Sequence, residues 1–225
     1  MSPQLRAEAV SPILNKVGQF LSASTIRTIV GNATSTINLS DLMDQGKILI
    51  MNLSQGKLGE DNSALLGAMI ITKLQLAAMN RVYVKEEARR DFYLYVDEFQ
   101  NFATISFIKI LSEARKYRLN LTLANQYVGQ IDEDVQNAIF GNAGSLVCFG
   151  IGASDARVMT REFGSIYEED ELVSLGNYQI AIKLSIDNST SMPFVATTLP
   201  LPRSQNQNRE KILRSSWERY TRKPK

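Results

Sequence analysis

Apolar and polar positions along this chain fall into blocks that switch between a helical and a strand period. Between Gln4 and Leu21 the apolar residues Leu5, Ala9, Ile13, Leu14, Val17, Phe20 and Leu21 recur at helical spacing, predicting a helix that Ser11-Pro12 breaks or restarts. Ile26 to Val30 is a short apolar stretch. Leu39 to Met43, opened by Asn38 or Ser40 as a cap and closed by Gly46, predicts one or two helical turns. Lys47 to Leu53 reads as a strand, Ser54 to Asn62 as its loop, and Ser63 to Arg81 as an Ala-rich helix. The charged run Lys85 to Asp91 is most simply a solvated connection into the next block.

That next block is Phe92-Tyr93-Leu94-Tyr95-Val96, the pattern of a strand buried on both faces, and it ends abruptly in Asp97 and Glu98. A helix from about Thr104 to Tyr117 follows. It has Phe107, Ile110, Leu111 and Ala114 on one arc, Lys109, Ser112, Glu113 and Lys116 opposite, and Arg115 at the arc's edge. Leu119, Leu121 and Leu123 alternate with Asn120, Thr122 and Ala124 as a second strand, with Gln126 at its carboxyl end. A helix around Asp132 to Phe140, a strand from Ser145 to Ile151 and a helix from Ser154 to Phe163 continue the alternation of a mostly parallel α/β sheet with flanking helices. Tyr178 to Ile186 and Phe194 to Leu199 read as late strands. Pro200 to Asn208 is linker-like, and Ile212, Leu213, Trp217 and Tyr220 line the apolar side of a basic helix after it. The predicted organisation is one domain over residues 1–200, then a linker and basic amphipathic helix over 201–225.

Composition narrows the chemistry. With 225 residues and 44% hydrophobic content the chain can bury one substantial core, and a net charge of +2 does not by itself argue for nucleic acid. The longest apolar region, Ala64 to Met79, is interrupted by Thr72, Lys73 and Gln75 and is expected to be a buried helix that falls short of a membrane span. A single cysteine, Cys148, excludes a disulfide within the chain and a cysteine metal cluster. The absence of histidine removes imidazole chemistry and leaves carboxylates, Lys, Arg and amides, the groups that phosphoryl transfer uses.

Two adjacent carboxylates at a strand tip suit nucleotide hydrolysis, because ligands in parallel α/β sheets bind beyond the carboxyl ends of the strands. One acid would hold a magnesium ion and its water, and the other would orient or deprotonate the attacking water, a Walker B arrangement. An acidic strand-ending turn is the bland alternative. Arg157 and Arg161 read as surface salt-bridge formers. The tail Arg209, Lys211, Arg214, Arg219, Arg222, Lys223 and Lys225, interleaved with Trp217 and Tyr220, reads either as a solvated terminal helix or as a contact for nucleic acid, acidic membrane or a partner.

The stretches YLYVDEFQNF, LSEARKYRLNLTLANQY and NAGSLVCFGIGASDARVMTREFG, supported upstream by KILIMNLSQGKLGEDNSALLGAMI, resemble the FtsK and HerA branch of P-loop motor ATPases. Within that branch the resemblance is to TraG/TraD-type coupling proteins and related ATPases of conjugative type IV secretion, and it covers roughly residues 25 to 165. It implies a RecA-like fold, ATP and Mg2+ as cofactors, and a homo-oligomeric ring, expected to be a hexamer. It also implies a DNA, nucleoprotein or protein substrate and a cytoplasmic location at the inner face of the cell membrane, beside type IV secretion components. By the same resemblance Asp97 is the magnesium ligand and Glu98 the catalytic glutamate. Arg115, with Arg118 as the alternative, is the finger reaching a neighbouring subunit's nucleotide, and Gln126 senses the γ-phosphate.

One departure stands out. A phosphate-binding loop needs G-x-x-x-x-G-K-[ST], yet Gly46-Lys47 and Gly56-Lys57 are followed by Ile48 and Leu58. The chain is therefore expected to be the C-terminal part of a motor domain whose first strand and Walker A loop lie on other sequence, or else a shortened protein. Two rival readings stay open: a non-catalytic, partner-binding module without its own phosphate loop, and another translocase of the FtsK/HerA branch.

Overall fold

The computed structural model describes residues 3–32, 34–103, 105–203 and 206–221. Thr104, the expected start of a helix, and Arg222, Lys223 and Lys225 of the basic tail lie outside the described residues. The chain forms two compact units, one built from Met1–Phe92, Tyr117–Leu119 and Trp217–Lys225, the other from Tyr93–Lys116 and Asn120–Ser216.

In the first unit, helix α1 (Pro3–Ser22) runs through Pro12 without the expected break, and α2 (Ser24–Val30) buries Ile26 and packs on α1. Helix α3 (Leu39–Asp44) is capped by Asn38, whose side-chain oxygen accepts the N–H groups of Ser40 at 3.0 Å and Asp41 at 3.4 Å. Gly46 takes a φ of +62°, with the Arg90 guanidinium lying where a Cβ would project, so the turn after α3 needs glycine. Helices α3 and α4 (Gln55–Leu58) pack on α5 (Glu60–Met79), which buries Leu66, Ile71, Leu74, Ala77 and Ala78, while α3 buries Leu42 and Met43.

Two expectations change here. Lys47 to Leu53 forms no strand and has no regular secondary structure; Ile48 and Ile50 are 90% and 82% exposed, and the segment is pinned at its end by the Ser63 hydroxyl donating to the Leu53 carbonyl. The unit offers it no strand to pair with among the described residues, so its apolar alternation is left without a ladder. Helix α5 with the 3-10 turn Asn80–Tyr83 spans 24 residues and contains an 18-residue stretch of mean hydropathy 1.2, long and apolar enough to cross a membrane by those measures, contrary to the shorter span read from sequence. In the fold it is the packing helix of its unit.

Arg81 closes this unit. It is 2% exposed, pairs with Asp44 at 3.0 Å, and donates to the carbonyls of Arg90 and Tyr117 at 2.9 Å each. A buried guanidinium is tolerated because its planar set of donors meets a carboxylate and two carbonyls at once.

Strand β1 (Phe92–Val96) and strand β2 (Leu119–Leu123) run parallel. The Phe92 N–H meets the Arg118 carbonyl at their amino ends, and the Ala124 N–H meets the Val96 carbonyl at their carboxyl ends, both at 2.9 Å. Between them α6 (Ile105–Glu113) buries Phe107 and Ile110 as its periodicity requires, then tightens into the 3-10 turn Ala114–Tyr117. Helix α7 (Glu133–Asn142), capped by Asp132, packs on α6 and leads to β3 (Leu146–Cys148), α8 (Ala153–Glu162) and α9 (Glu169–Val173), which opens on a Glu168/Glu171 capping box. Strands β4 (Gln179–Lys183), β5 (Ser185–Ile186), β6 (Ser189–Thr190) and β7 (Phe194–Thr197) follow, then α10 (Arg209–Tyr220), on which Ile212, Leu213 and Trp217 are exposed.

The fold is α/β, as expected, with the parallel pair where the acidic tip was read. The later strands differ from a mostly parallel sheet: β3, β4 and β7 pair antiparallel, with Cys148, Ala181 and Val195 in register. The predicted strand Tyr178 to Ile186 divides, because its end folds into the β5–β6 hairpin, turned by Asp187 and Asn188 at φ of 50° and 63°. Short turns connect antiparallel strands, so β4 reaches β7 without a crossover helix. One face of this sheet carries the second core of the unit: Ala156, Met159, Phe163, Leu172, Cys148 and Ala181. Arg157 and Arg161 are largely exposed and face Glu169 at 3.7 Å and Glu162 at 3.9 Å, the surface pairing expected of them.

Candidate active site

The acidic tip is built by a sharp change of direction. β1 ends at Val96, Asp97 is exposed, and Glu98 takes the left-handed conformation (φ 49°, ψ 45°) before the 3-10 turn Phe99–Asn101. A non-glycine residue held there costs on the order of 1–2 kcal/mol, and such strain persists only where surrounding structure enforces it. Phe99 supplies that enforcement. Its ring is fully buried, lies 4.6 Å from the Phe107 ring, and its N–H donates to the Ala124 carbonyl at 2.9 Å, tying the acidic turn to the end of β2.

The Glu98 carboxylate is held by two amides. Gln126 Nε2 donates to Oε1 at 2.5 Å and Gln100 Nε2 donates to Oε2 at 2.5 Å. Gln100 Oε1 is buried with no hydrogen-bond partner, so the amide is oriented for Glu98 at the expense of its own oxygen. Asp97 Oδ1 accepts the Glu98 N–H at 3.0 Å, which leaves the exposed Asp97 carboxylate turned toward the same tip. No group of three or more Asp, Glu or Cys side chains able to hold a metal occurs among the described residues. Asp97 with Glu98 beside it suits a magnesium ion, which keeps several waters and takes one or two carboxylates plus substrate phosphates as ligands.

Of the residues read from sequence, the structure thus brings together Asp97, Glu98 and Gln126. It places Arg115 elsewhere. Arg115 lies in the turn before β2, at the amino ends of the parallel pair, and its Nη2 donates to Asn188 Oδ1 at the tip of the β5–β6 hairpin at 2.9 Å. Arg118, the alternative, has a left-handed backbone and faces Asp91 at 3.6 Å, beside the start of β1.

Three contributors were not read from the sequence. Gln100, two residues beyond Glu98, carries its signal as an amide beside an acid. Asp155, in the first turn of α8, is 4% exposed, and its Oδ2 accepts the Val128 N–H at 3.0 Å while Oδ1 accepts the Gly129 N–H at 3.4 Å. Gln136, on α7, donates to the carbonyls of Val128 at 3.1 Å and Ile131 at 2.7 Å. Asp155 acts across 27 residues, which no local pattern reveals, whereas Gln136 reaches back only five to eight residues from α7. Burial, with the Asp155 charge adding to it, pushes the Cys148 thiol up to about 11.

Comparison with known proteins agrees with this architecture. The genome packaging NTPase B204 of Sulfolobus turreted icosahedral virus 2, in complex with AMPPCP, shares the fold at a TM-score of 0.50 and 12% identity, over 75% of this chain and 74% of that one. The same NTPase with ATP-gammaS gives a TM-score of 0.49 at 12% identity over 74% of each chain. No curated protein matches the sequence. Residues 91–190 match the family described as the TraM recognition site of TraD and TraG. That segment, which holds Asp97, Glu98, Gln126 and Asp155, is where the chain is similar to the TraG/TraD-type proteins.

Proposed function

We propose that this chain is part of a ring-forming, ATP-driven motor that moves DNA or protein substrates in conjugation or type IV secretion, at the cytoplasmic face of the membrane. The observation that carries this reading is the Gln126–Glu98 hydrogen bond across the tips of two parallel neighbouring strands, with Asp97 beside it. The match of residues 91–190 to a TraD and TraG domain supports the setting, and the shared fold with an NTPase supports nucleotide as the ligand.

In this reading Asp97 holds magnesium together with the nucleotide, and magnesium supplies charge neutralisation at the phosphates. Glu98, clamped between Gln100 and Gln126, is presented with a fixed orientation to accept a proton from, or align, the attacking water. Gln126 shares its amide between Glu98 and the terminal phosphate, so arrival of nucleotide is felt at the base. Arg115 serves a neighbouring subunit. The phosphate-binding loop comes from sequence other than residues 1–225, because the G-x-x-x-x-G-K-[ST] pattern is absent here.

Titration of the 225-residue chain with labelled ATP and magnesium tests this division of labour. Weak binding and negligible turnover are expected, since the loop's backbone amides and lysine supply much of the phosphate affinity. Micromolar binding with robust turnover contradicts it. A second reading, a partner-docking module, is favoured by the description of residues 91–190 as a recognition site. It requires no hydrolysis, so loss of partner binding with turnover intact in surface variants of that segment separates the two.

A further inference from the structure

Gln126 is exposed, so its position follows the backbone on either side of it. On one side Ala124 is locked by paired bonds to Val96 and Phe99. On the other, the 3-10 turn Val128–Gln130 is held by side chains from two different helices: the Asp155 carboxylate takes the N–H groups of Val128 and Gly129, and the Gln136 amide takes the carbonyls of Val128 and Ile131. A carboxylate that is 4% exposed needs hydrogen-bond donors in place of water, and Asp155 finds them in those two backbone amides. A solvent-facing turn needs no such arrangement, because water would satisfy its backbone groups equally well.

We infer that Asp155 and Gln136 are positioning residues for Gln126: together they fix the turn that follows it, so that α7 and α8 determine how the Gln126 amide meets Glu98. For its catalytic meaning this rests on the role proposed above for Gln126. Neither side chain reaches the carboxylates of the tip. They act through backbone, and a shift of α8 is transmitted to the Gln126–Glu98 bond.

Asp155→Asn tests this in the 225-residue chain. The substitution keeps the shape and turns an NH2 group toward one of the two backbone N–H donors. By amide exchange in NMR, Val128 and Gly129 should exchange at least about tenfold faster than in wild type. The side-chain amide signals of Gln126 should move, while those of Gln179, held at Gly176, stay in place. Unchanged exchange at Val128 and Gly129, or faster exchange with Gln126 unmoved, overturns the inference. Should Asp155→Asn fail to fold, Gln136→Leu carries the same comparison by freeing the Val128 and Ile131 carbonyls, and the same two outcomes decide it. In an ATP-hydrolysing assembly that contains this chain, adding Asp155→Asn to Gln126→Ala should cost no further turnover, and a combined loss equal to the product of the single losses overturns action through Gln126. If Gln126→Ala alone leaves turnover unchanged while the NMR result holds, the proposed role of Gln126 fails and the positioning stands.

Discussion

Replacing Arg115 by alanine separates a role within the subunit from a role between subunits. Arg115 precedes β2 while Glu98 and Gln126 lie beyond the carboxyl ends of β1 and β2, five residues each. At a strand rise of about 3.3 Å per residue, the two ends stand roughly 16 Å apart, too far for one side chain to bridge. Within its own chain Arg115 meets Asn188 in an exposed contact, worth no more than about 1 kcal/mol. Arg115→Ala should therefore shift the urea unfolding free energy by less than about 1 kcal/mol. In an assembled ring the same change should lower turnover about a thousandfold, roughly 4 kcal/mol of transition-state stabilisation, with ATP affinity preserved. Steady-state hydrolysis, nucleotide titration and urea melts read the three quantities. Mixed rings of Arg115→Ala and Glu98→Gln subunits should regain partial activity, because some interfaces then join an intact Glu98 to an intact neighbouring Arg115. Unchanged turnover in Arg115→Ala refutes this reasoning and shifts the role to Arg118, and a stability loss of several kcal/mol makes Arg115 structural instead.

Two further outcomes follow from buried groups. Arg81→Met strips the donors from Asp44 and from the carbonyls of Arg90 and Tyr117, and should cost about 2–4 kcal/mol in urea unfolding; a change below about 1 kcal/mol contradicts the buried clasp. With its thiol pushed up to about 11, Cys148 should be alkylated at pH 8 about a hundredfold more slowly in the native chain than in denaturant. Because the folded value lies above the unfolded one, the stability gained by keeping this thiol neutral is fully present below the ordinary cysteine value. It is lost as pH rises toward about 11, so Cys148→Ala should flatten the alkaline fall in unfolding midpoint.

The acidic tip was legible because β1 writes itself as an unbroken apolar run that Asp97-Glu98 interrupts at once; the expectation that both its faces are buried does not hold, since Tyr93 and Tyr95 are exposed and their apolar rings alone make the run continuous. Gln126 was legible because Leu119, Leu121 and Leu123 alternate with polar residues up to the end of β2, which places it just beyond that strand's carboxyl end. What the sequence withheld depends on long-range partners. Ile48 and Ile50 alternate as strand residues do, but pairing needs a neighbour, and that neighbour is not encoded in the period. Whether β3 and β4 run parallel or antiparallel is equally absent from their composition. Asp155 reads in sequence as an ordinary acid in the first turn of a helix, and only folding brings it to Val128 and Gly129. The left-handed backbone at Glu98 likewise has no glycine or asparagine to announce it; burial of Phe99 two steps after Asp97 produces it.

Hydrolysis by Glu98→Gln in an assembly that contains this chain and a phosphate-binding loop tests the hydrolytic reading of the strand tip most directly. Glutamine keeps the size of the side chain while removing the base and leaving one acceptor for the two amides of Gln100 and Gln126. ATP binding should stay within a few-fold of wild type while turnover falls by about a hundredfold or more, the usual worth of a positioned general base. Asp97→Asn should instead weaken the magnesium-dependent part of binding. Equal turnover in wild type and Glu98→Gln, with nucleotide bound in both, contradicts a hydrolytic role for this strand tip.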